Sequence, residues 1–461
     1  MKSVTRIAAA WLAALASIAL SSPASATNGY FTHGVGAESK AMAGTGIGSN
    51  EALGPIIVAS NPALAVFADD HWEAGLSIFS PRRSFRASQS QINGQFGAFS
   101  IGAGDFDSGS NWFPVPYAAK NWKLSNDRAL TFMFYGRGGM NTDWTNPNTS
   151  ASFDPDGPGP APAGTFPGVF GAGNAGVDLS QAFASFNYAA RVSDNFAWGI
   201  GPVVAVQLFE AKGVGSFAGF TRTFAASGGT SLPTSLTDNH HEFSYGVGAS
   251  AGVWFALSDA VGLGLSYQSR IYMTDFDDYS DLFAESGGFD IPSSIKLGLS
   301  FRASDTLRVN FDIEHTRFSE IDAVGNSLAN IAGCPTAGLG GTDIESCLGG
   351  KKGAGFGWDD MTTYKIGAAW QLNGDYTFRF GYSYGEQPIQ AADVLFNILA
   401  PGVMEQHITA GLTKHRENGG DLTFSVMFAP EKSVTGPNMF DPTQTIRLEM
   451  HQFEFEVAYH W

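Results

Sequence analysis

Apolar and polar residues alternate along most of the chain. Between Leu307 and Glu314 every second residue is apolar and the residues between are polar or charged, and the same period recurs between Tyr376 and Tyr384. A period of two is that of a β-strand, whose successive side chains point to opposite faces. Strands of soluble sandwiches usually have about 5 to 6 residues. Segments of about ten residues, with aromatic residues on one face and Gly, Ser and single charges on the other, favour a wall between lipid and a polar lumen.

The connections between these segments give the number of strands. Six short polar turns occur at residues 124–127, 193–195, 257–260, 303–306, 372–375 and 417–420. Seven longer stretches rich in Gly, Pro and Asp lie near residues 88–111, 145–177, 219–240, 277–290, 323–358, 390–404 and 435–443. Thirteen connections join fourteen strands, and short turns at one end with long loops at the other are typical of bacterial outer-membrane proteins. We predict an all-β fold, a fourteen-stranded antiparallel transmembrane β-barrel over residues 71–461, with both of its ends on the periplasmic side.

The two ends of the chain agree with export to that membrane. Lys2 and Arg6 precede an apolar run, and Ala24-Ser25-Ala26 follows it, so residues 1–26 are predicted to be a signal peptide. No later segment has the roughly 20 consecutive apolar residues of a membrane-spanning helix. The last strand alternates aromatic and polar residues up to Trp461, which resembles the signal that outer-membrane assembly machinery recognises.

Residues 27–70 do not alternate and form a separate predicted domain. They are rich in Gly and Ala, and the stretch from Ala37 to Ala43 is weakly helical before Gly44. Fourteen strands enclose a lumen wider than their own side chains can fill. We therefore predict that this segment folds into the lumen as a hatch, a position in which non-strand backbone is tolerated at membrane depth.

Composition narrows the classes of function. The chain has 461 residues, a formal net charge of −17 and only 15% charged residues, which disfavours a nucleic-acid partner and a large soluble enzyme. Two cysteines are too few for a four-ligand zinc site, and we predict neither a metal nor a cofactor. The run from Gly381 to Gly385 matches the G-x-S-x-G pattern of hydrolases, but it lies inside a predicted strand instead of a strand-to-helix turn. We do not predict an enzyme.

Several motifs carry a resemblance to one family. Asn28-Gly29-Tyr30-Phe31 and Asn61-Pro62-Ala63 resemble the N-terminal hatch of the FadL/TodX family of outer-membrane transporters of hydrophobic compounds. The resemblance continues at Ile291-Pro292-Ser293-Ser294, at Trp358-Asp359-Asp360 and from Phe378 to Tyr384. It implies the outer membrane of a Gram-negative bacterium, a hatch that contains these N-terminal motifs, and uptake of long-chain fatty acids or other apolar molecules.

The resemblance also implies a lateral exit. Members of this family are thought to pass ligand through an inner pocket, shift the hatch and release the ligand sideways through a gap in the wall at a kink in the third strand. The corresponding segment here runs from about Arg128 to Trp144 and contains Gly136, Gly138 and Gly139. Glycines weaken strands and mark bulges, so these three residues are the predicted lateral opening. The alternative is that they are only small residues facing the lumen.

Apolar residues in two long loops are candidates for ligand capture. Phe217, Phe220 and Phe224 in the third loop, with Leu282 and Phe283 in the fourth, are expected to be exposed and to form a docking groove. The alternative is that they pack the loops against one another. Cys334 and Cys347 share the fifth long loop, and an oxidising compartment favours a disulfide between them.

The predicted partners follow from the predicted outer-membrane barrel and the family resemblance. They are a hydrophobic small molecule, outer-membrane lipid and lipopolysaccharide, and the protein is expected to be a monomer. Aromatic or alkane hydrocarbons fit the same apolar reasoning as fatty acids. A general porin for polar solutes is the other alternative, but it would have a charged constriction loop and no hatch.

Overall fold

The computed structural model describes residues 28–51, 54–155, 163–416 and 420–461. Within these ranges, fourteen long antiparallel strands form a closed barrel, which confirms the predicted fold. In chain order they are β1 (Trp72–Ala87), β2 (Phe113–Ser125), β3 (Arg128–Asn141), β4 (Gly176–Ser193), β5 (Phe196–Lys212), β6 (Glu242–Ser258), β7 (Val261–Gln268), β8 (Ser294–Arg302), β9 (Leu307–Thr316), β10 (Met361–Asn373), β11 (Tyr376–Gly385), β12 (Gln406–His415), β13 (Asp421–Asn438) and β14 (Asp441–His460). The predicted signal peptide, residues 1–26, lies outside the described residues.

Each strand pairs with its neighbours in the chain, and β14 returns to pair with β1. This closing ladder runs from Glu73 opposite His460 to Ala87 opposite Ile446. Below it, the amides of Trp72 and Trp461 each donate to the other's carbonyl at 2.9 Å. The barrel therefore begins and ends at the rim that carries the short turns, as predicted. One of those turns, at residues 417–420, lies mostly outside the described residues.

The two faces of the wall differ in polarity. In β11 the outward Phe380 is 53% exposed, whereas Arg379 and Ser383 are buried inside. Phe311 of β9 and Phe455 of β14 are exposed in the same way. An apolar band of this extent is unfavourable in water and favourable in a bilayer, which fits a transmembrane barrel.

The loops at the opposite rim match the prediction in six of seven places, and the seventh is wrong. We expected a long loop near residues 435–443, but β13 ends at Asn438 and β14 begins at Asp441. These strands continue past the wall because the first long loop packs on their tip. The Phe99 amide donates to the Phe440 carbonyl at 3.1 Å, and the Asn438 side chain donates to the Phe99 carbonyl at 2.8 Å.

Short elements fill the remaining loops. Additional short strands are Ser100–Ile101, Gly104–Asp107, Ser150–Phe153, Gly164–Pro167 and Tyr272–Met273. Short α-helical segments are Ala37–Ala41, Arg222–Ala226, Ala284–Gly287 and Asp322–Gly325. Turns of 3₁₀-helix are Pro55–Ala59, Pro62–Val66, Gln95–Gly97, Gly215–Phe220, Asp277–Tyr279, Phe318–Glu320, Leu328–Gly333, Pro335–Ala337, Ile344–Ser346, Ala391–Asp393 and Phe396–Ile398. In the described part of the chain, no helix is long and apolar enough to cross a membrane.

The segment before β1 lies inside the lumen, where it touches opposite sides of the wall. Its helix α1 (Ala37–Ala41) packs near β12 and β13, and its Pro62–Val66 turn packs against β4 and β5. Wall glycines make room for this close approach. A Cβ at Gly381 would collide with the backbone of Met42, and one at Gly262 would collide with that of Gly48. Small inward residues on the wall thus let the two backbones meet.

Charged side chains also join this segment to the wall. Lys40 Nζ lies 2.5 Å from Glu454 Oε1 and 2.6 Å from Glu456 Oε2, both on β14. Arg379 of β11 donates to Glu38 at 2.6 Å. Because these groups are buried, removing one partner would leave an uncompensated charge, which is strongly unfavourable.

Candidate functional site: a route from the outer loops to the wall

An apolar cavity lies beneath the long loops. We call it the outer cavity; its lining includes Phe217, Leu282, Phe283, Leu348, Phe356 and Phe396. These residues come from four different loops, so the cavity exists only when the loops are packed together. Its volume in this closed form is about 30 Å³, and a ligand larger than a few water molecules therefore requires the loops to move apart.

The expected exposure of the capture residues is wrong. Phe217 is 2% exposed and Phe283 is 4% exposed, while Phe220, Phe224 and Leu282 are half-buried. The reason is packing between loops and wall: the ring of Phe283 lies 4.7 Å from that of Phe209 of β5, measured between centroids. Phe217, Leu282 and Phe283 nevertheless line one cavity, whereas Phe220 stacks on Phe440 at 5.5 Å. Phe224 lies in the short helix that follows and is not among the cavity residues.

The fifth long loop fastens the third and fourth loops together. Cys334 and Cys347 form a disulfide, and Leu348 directly follows it. The Leu348 amide donates to the Phe220 carbonyl at 2.9 Å, and the Arg222 amide donates to the Leu348 carbonyl at 2.8 Å. On the other side, the Glu285 amide donates to the Gly350 carbonyl at 3.1 Å. The segment that follows the disulfide therefore forms one wall of the outer cavity.

The sixth long loop is fixed by a carboxylate. Asp393 accepts hydrogen bonds from the Ser327 hydroxyl and the Leu328 amide, both at 2.7 Å. Burial raises the pKa of Asp393 above its usual range. This contact joins the sixth loop to the fifth, so both contribute to the closed cavity.

A series of aromatic rings leads from the outer cavity to the N-terminal segment. Phe283 lies 4.9 Å from Phe289, Phe289 lies 6.2 Å from Tyr30, and Tyr30 lies 4.7 Å from Phe31, all between ring centroids. Phe318 also packs on Tyr30, at 5.2 Å. The rings form a continuous series of aromatic contacts from the outer cavity into the lumen, which we call the aromatic path.

The aromatic path ends where the hydrogen-bond ladder between β2 and β3 is interrupted. Pairing between β2 and β3 stops at Tyr117 opposite Tyr135, although both strands continue beyond that point. Further along β3, Gly136 faces Ala182 and Gly138 faces Gln181, so Arg137 is an extra residue. This is a β-bulge, which bends a strand and disrupts its ladder. The predicted opening at Gly136, Gly138 and Gly139 therefore coincides with a bulge and a gap in pairing.

The N-terminal residues occupy this gap in place of β2. We call Asn28, Gly29, Tyr30, Phe31 and Thr32 the gate segment. The Thr32 amide donates to the Arg137 carbonyl at 2.8 Å, and the Gly139 amide donates to the Tyr30 carbonyl at 2.9 Å. The Arg137 guanidinium lies over the Phe31 ring at 4.9 Å. The gate segment satisfies backbone groups of β3 that β2 leaves unpaired.

Sequence reasoning missed the residues on the other side of the gap. Pro114 and Pro116 lie in the part of β2 that pairs with β1 alone. Proline has no amide hydrogen and is confined to strand edges and bulges. Two prolines at alternate positions of the second strand were the available signal for an incomplete ladder.

The Asn61-Pro62-Ala63 motif anchors the other end of the N-terminal segment. The side-chain nitrogen of Asn61, Nδ2, donates to the carbonyls of Ile47 at 2.9 Å and Val253 at 3.2 Å. Its oxygen accepts from the Ala63 amide at 3.1 Å and caps the short helix. Gly199 of β5 lies against Pro62 so closely that a Cβ there would collide with it. The motif therefore joins three parts of the molecule.

The G-x-S-x-G run lies within β11, as the alternation indicated. Ser383 Oγ lies 3.0 Å from His407 Nδ1, and both residues are 0% exposed. The His407 ring stacks on that of His33 at 5.6 Å. The serine is thus enclosed between the wall and the N-terminal segment, not presented on a sharp turn as in hydrolases.

Comparison with known families agrees with this architecture. The family model for outer membrane protein transport proteins (OMPP1/FadL/TodX) matches residues 165–452. The chain belongs to this family. The OMPP1/FadL/TodX family is one of Gram-negative outer-membrane proteins, and the chain is accordingly an outer-membrane barrel. None of the curated proteins matches it in sequence.

Solved structures of this family share the fold at low identity. The toluene transporter TodX of Pseudomonas putida is 18% identical, with 93% of this chain and 98% of that chain covered and a TM-score of 0.60. The toluene transporter TbuX of Ralstonia pickettii is 16% identical, with coverages of 93% and 98% and a TM-score of 0.57. A FadL homologue of Pseudomonas aeruginosa is 14% identical, with coverages of 94% and 99% and a TM-score of 0.59. At these identities the likeness concerns the fold alone.

Proposed function

We propose that this protein takes up hydrophobic molecules, long-chain fatty acids foremost, across the outer membrane. A molecule is captured in the outer cavity, follows the aromatic rings to the gate segment and leaves sideways between β2 and β3. The observation that carries the proposal is the break in the β2–β3 ladder, filled by the gate segment at the end of an apolar path. In this scheme the N-terminal segment acts as the hatch.

A sideways exit suits an apolar cargo. Each methylene removed from water contributes about 0.8 kcal/mol, so a long chain held by aromatic residues is stabilised against return to water. A water-filled bore through the lumen offers no such interaction. Release through the wall would deliver the molecule into the bilayer without exposing it to the periplasm.

Aromatic hydrocarbons are the second candidate cargo. The path is built largely from Phe and Tyr rings, which pack well on other rings, and two structures of similar fold are toluene transporters. A general porin is less consistent with the buried contacts that hold the N-terminal segment in the lumen.

We also propose that the barrel acts as a monomer. Its outward apolar band would contact lipid, with lipopolysaccharide in the outer leaflet.

The test is uptake by cells that display equal amounts of each variant in their outer membrane. Replacing Phe283 with Ser removes a ring shared by the outer cavity and the aromatic path. We expect uptake of labelled oleate at low concentration to fall about tenfold or more, because a buried Phe side chain contributes about 1.5–3 kcal/mol.

The matched control is Phe96→Ser, because Phe96 is 84% exposed in the first loop and does not line the outer cavity. Equal uptake of oleate by cells with Phe283→Ser and cells with the unaltered protein would contradict the route. As a separate measurement, mass spectrometry of lipids extracted from the purified barrel would identify the cargo class directly.

A further inference from the structure

The gap between β2 and β3 is closed at both of its ends. At its inner end, towards the short turns, the last paired residues are Tyr117 and Tyr135. At its outer end, towards the long loops, the Gly109 amide donates to the Asp143 carbonyl at 2.8 Å, and the Asp143 amide donates to the Ser108 hydroxyl at 3.0 Å. We call these two outer contacts the outer tie. The gap is therefore a window with two fixed ends and not an open slit.

Arg83 of β1 reaches across the gap just inside the outer tie. Its guanidinium donates to the carbonyl of Asn141, at the end of β3, and to that of Ser110, which precedes β2. One side chain thus joins the two sides of the gap. Hydrogen bonds from a charged donor are roughly twice as strong as those between neutral groups, so Arg83 holds the two sides together more firmly than another backbone pair would.

Arg83 also stands between the lumen and the outside of the barrel. It is 6% exposed, and on its inner side it lines a small cavity with Gly139 and Trp358. On its outer side it lines a groove of about 580 Å³ with Arg82 and His451. His451 lies on the outward face of β14, so this groove is outside the wall. Loss of the Arg83 side chain would therefore enlarge the gap at its outer end.

The gate segment can leave the gap without breaking the outer tie. Its backbone hydrogen bonds to β3 are made with Arg137 and Gly139, both on the inner side of the contact between Arg83 and Asn141. The room that it vacates is about that of one strand, because neighbouring strands lie about 4.8 Å apart. A single alkyl chain or one benzene ring fits a slot of this width, whereas the fused rings of a steroid do not.

We propose that Arg83 sets the size limit of the lateral exit. By holding the two sides of the gap together at the outer end, it keeps the window narrow after the gate segment has shifted. Single chains and single rings pass, and fused polycyclic molecules are retained. Arg83 acts through the two carbonyls that it joins and is a positioning residue. The inference rests on the proposed function and adds the residue that selects cargo by its cross-section.

The first experiment compares uptake of two acids of different cross-section. Tritiated palmitic acid is a single unbranched chain, and tritiated 5β-cholanic acid carries four fused rings and the same carboxyl head group. Uptake is measured in cells that display equal amounts of each variant in their outer membrane, and uptake by cells without the protein is subtracted. The unaltered protein should take up palmitate at least about tenfold faster than cholanate, because a steric clash with the window opposes the wider molecule.

Variants of Arg83 should change this preference. Arg83→Met keeps an unbranched side chain and removes both donated hydrogen bonds. Cholanate uptake should rise several-fold and palmitate uptake should stay within about twofold, since the sides of the gap lose their charged contact. Arg83→Lys keeps a charged donor and should restore most of the preference. A fall of both uptakes in equal proportion for Arg83→Met would show a purely structural role and overturn the proposal.

The matched control is Arg86→Met, because Arg86 lies on the same strand but is exposed and pairs with the exposed Asp105. It removes an equal charge and should leave the ratio of the two uptakes unchanged. Heat-modifiable mobility on gels checks that each barrel has folded.

The second experiment locks the outer tie. In the Gly109→Cys/Asp143→Cys variant the two new side chains face each other, since a Cβ at Gly109 would lie 3.5 Å from Asp143 Cγ. A disulfide between them is therefore within reach. Palmitate uptake should be the same before and after reduction, and the unaltered protein treated with the same reductant controls for its own disulfide. Uptake that is lost on oxidation and regained on reduction would show that the sides separate at this end, and would overturn the fixed window.

A third variant separates this inference from the proposed function. Phe31→Cys/Gly138→Cys joins the gate segment to β3, where a Cβ at Gly138 would lie 3.1 Å from Phe31 Cδ1. Its disulfide should abolish palmitate uptake until it is reduced. Undiminished uptake with this pair locked would contradict the lateral exit and with it the proposed function. An unchanged ratio of the two uptakes in Arg83→Met, with the gate lock effective, would overturn the role of Arg83 alone.

Discussion

Gly138 lies where three segments of the chain meet. It belongs to β3, it faces Gln181 of β4, and it forms a bridge with Phe31 of the gate segment. A Cβ at this position would collide with Gln181 Oε1 and would lie 3.1 Å from Phe31 Cδ1. The glycine therefore leaves the space in which the gate segment is held.

Replacing Gly138 with Leu should block the proposed lateral exit between β2 and β3. The side chain would occupy the gap between β2 and β3, and overpacking of this kind costs about 1–3 kcal/mol. We expect oleate uptake to fall about tenfold, with the amount of folded barrel in the membrane unchanged. Gly219→Leu is the control, since no atom lies within 4 Å of a Cβ there. Normal uptake by Gly138→Leu would show that cargo does not pass this residue.

At the scale of elements, the alternation of apolar and polar residues was sufficient for the wall and insufficient for the loops. Each strand's faces are set by its own sequence, so β9 and β11 could be predicted from Leu307–Thr316 and Tyr376–Gly385 alone. Burial of Phe217 and Phe283 depends on four loops packing together, which local pattern does not encode. The glycines of β3 predicted a bulge. Predicting the gap in pairing would also have required the prolines of β2 and the contact with the gate segment, which lies about 100 residues earlier in the chain.

The disulfide loop is the element whose removal should be easiest to measure. Cys334 and Cys347 are 13 residues apart, and closing a loop of about that length contributes about 3 kcal/mol in the chain-entropy model. In the Cys334→Ser/Cys347→Ser variant we expect faster hydrogen exchange at the amides of Leu348 and Arg222. Strand amides such as those of β9 should keep their protection. Unchanged exchange at Leu348 would mean that the hydrogen bonds to the third loop hold this segment without the disulfide.

At the scale of the whole molecule, the lumen is occupied by the N-terminal segment. The N-terminal segment contacts β5, β9, β11 and β14 through buried polar groups and wall glycines. A barrel of fourteen strands is wider than its own side chains can fill. We therefore expect the barrier to ions to depend on this segment and not on the wall.

Deletion of residues 28–66 should convert the protein into an open channel. We expect a stable ohmic conductance in planar bilayers for the deletion variant and no steady conductance for the intact protein. Heat-modifiable mobility on gels serves as the check that the barrel still folds. A correctly folded deletion variant that remained impermeable would show that the loops alone seal the lumen.

The contacts of Lys40 have a consequence for biogenesis. Its two carboxylate partners, Glu454 and Glu456, lie on the last strand to be synthesised, beside the seam where that strand meets the first. A chain that ends before Glu454 lacks both carboxylate partners of Lys40 and the part of β14 that pairs with Glu73 to Phe79 of β1. We therefore expect that closure of the barrel and fixation of Lys40 are completed together, when the last strand pairs with the first.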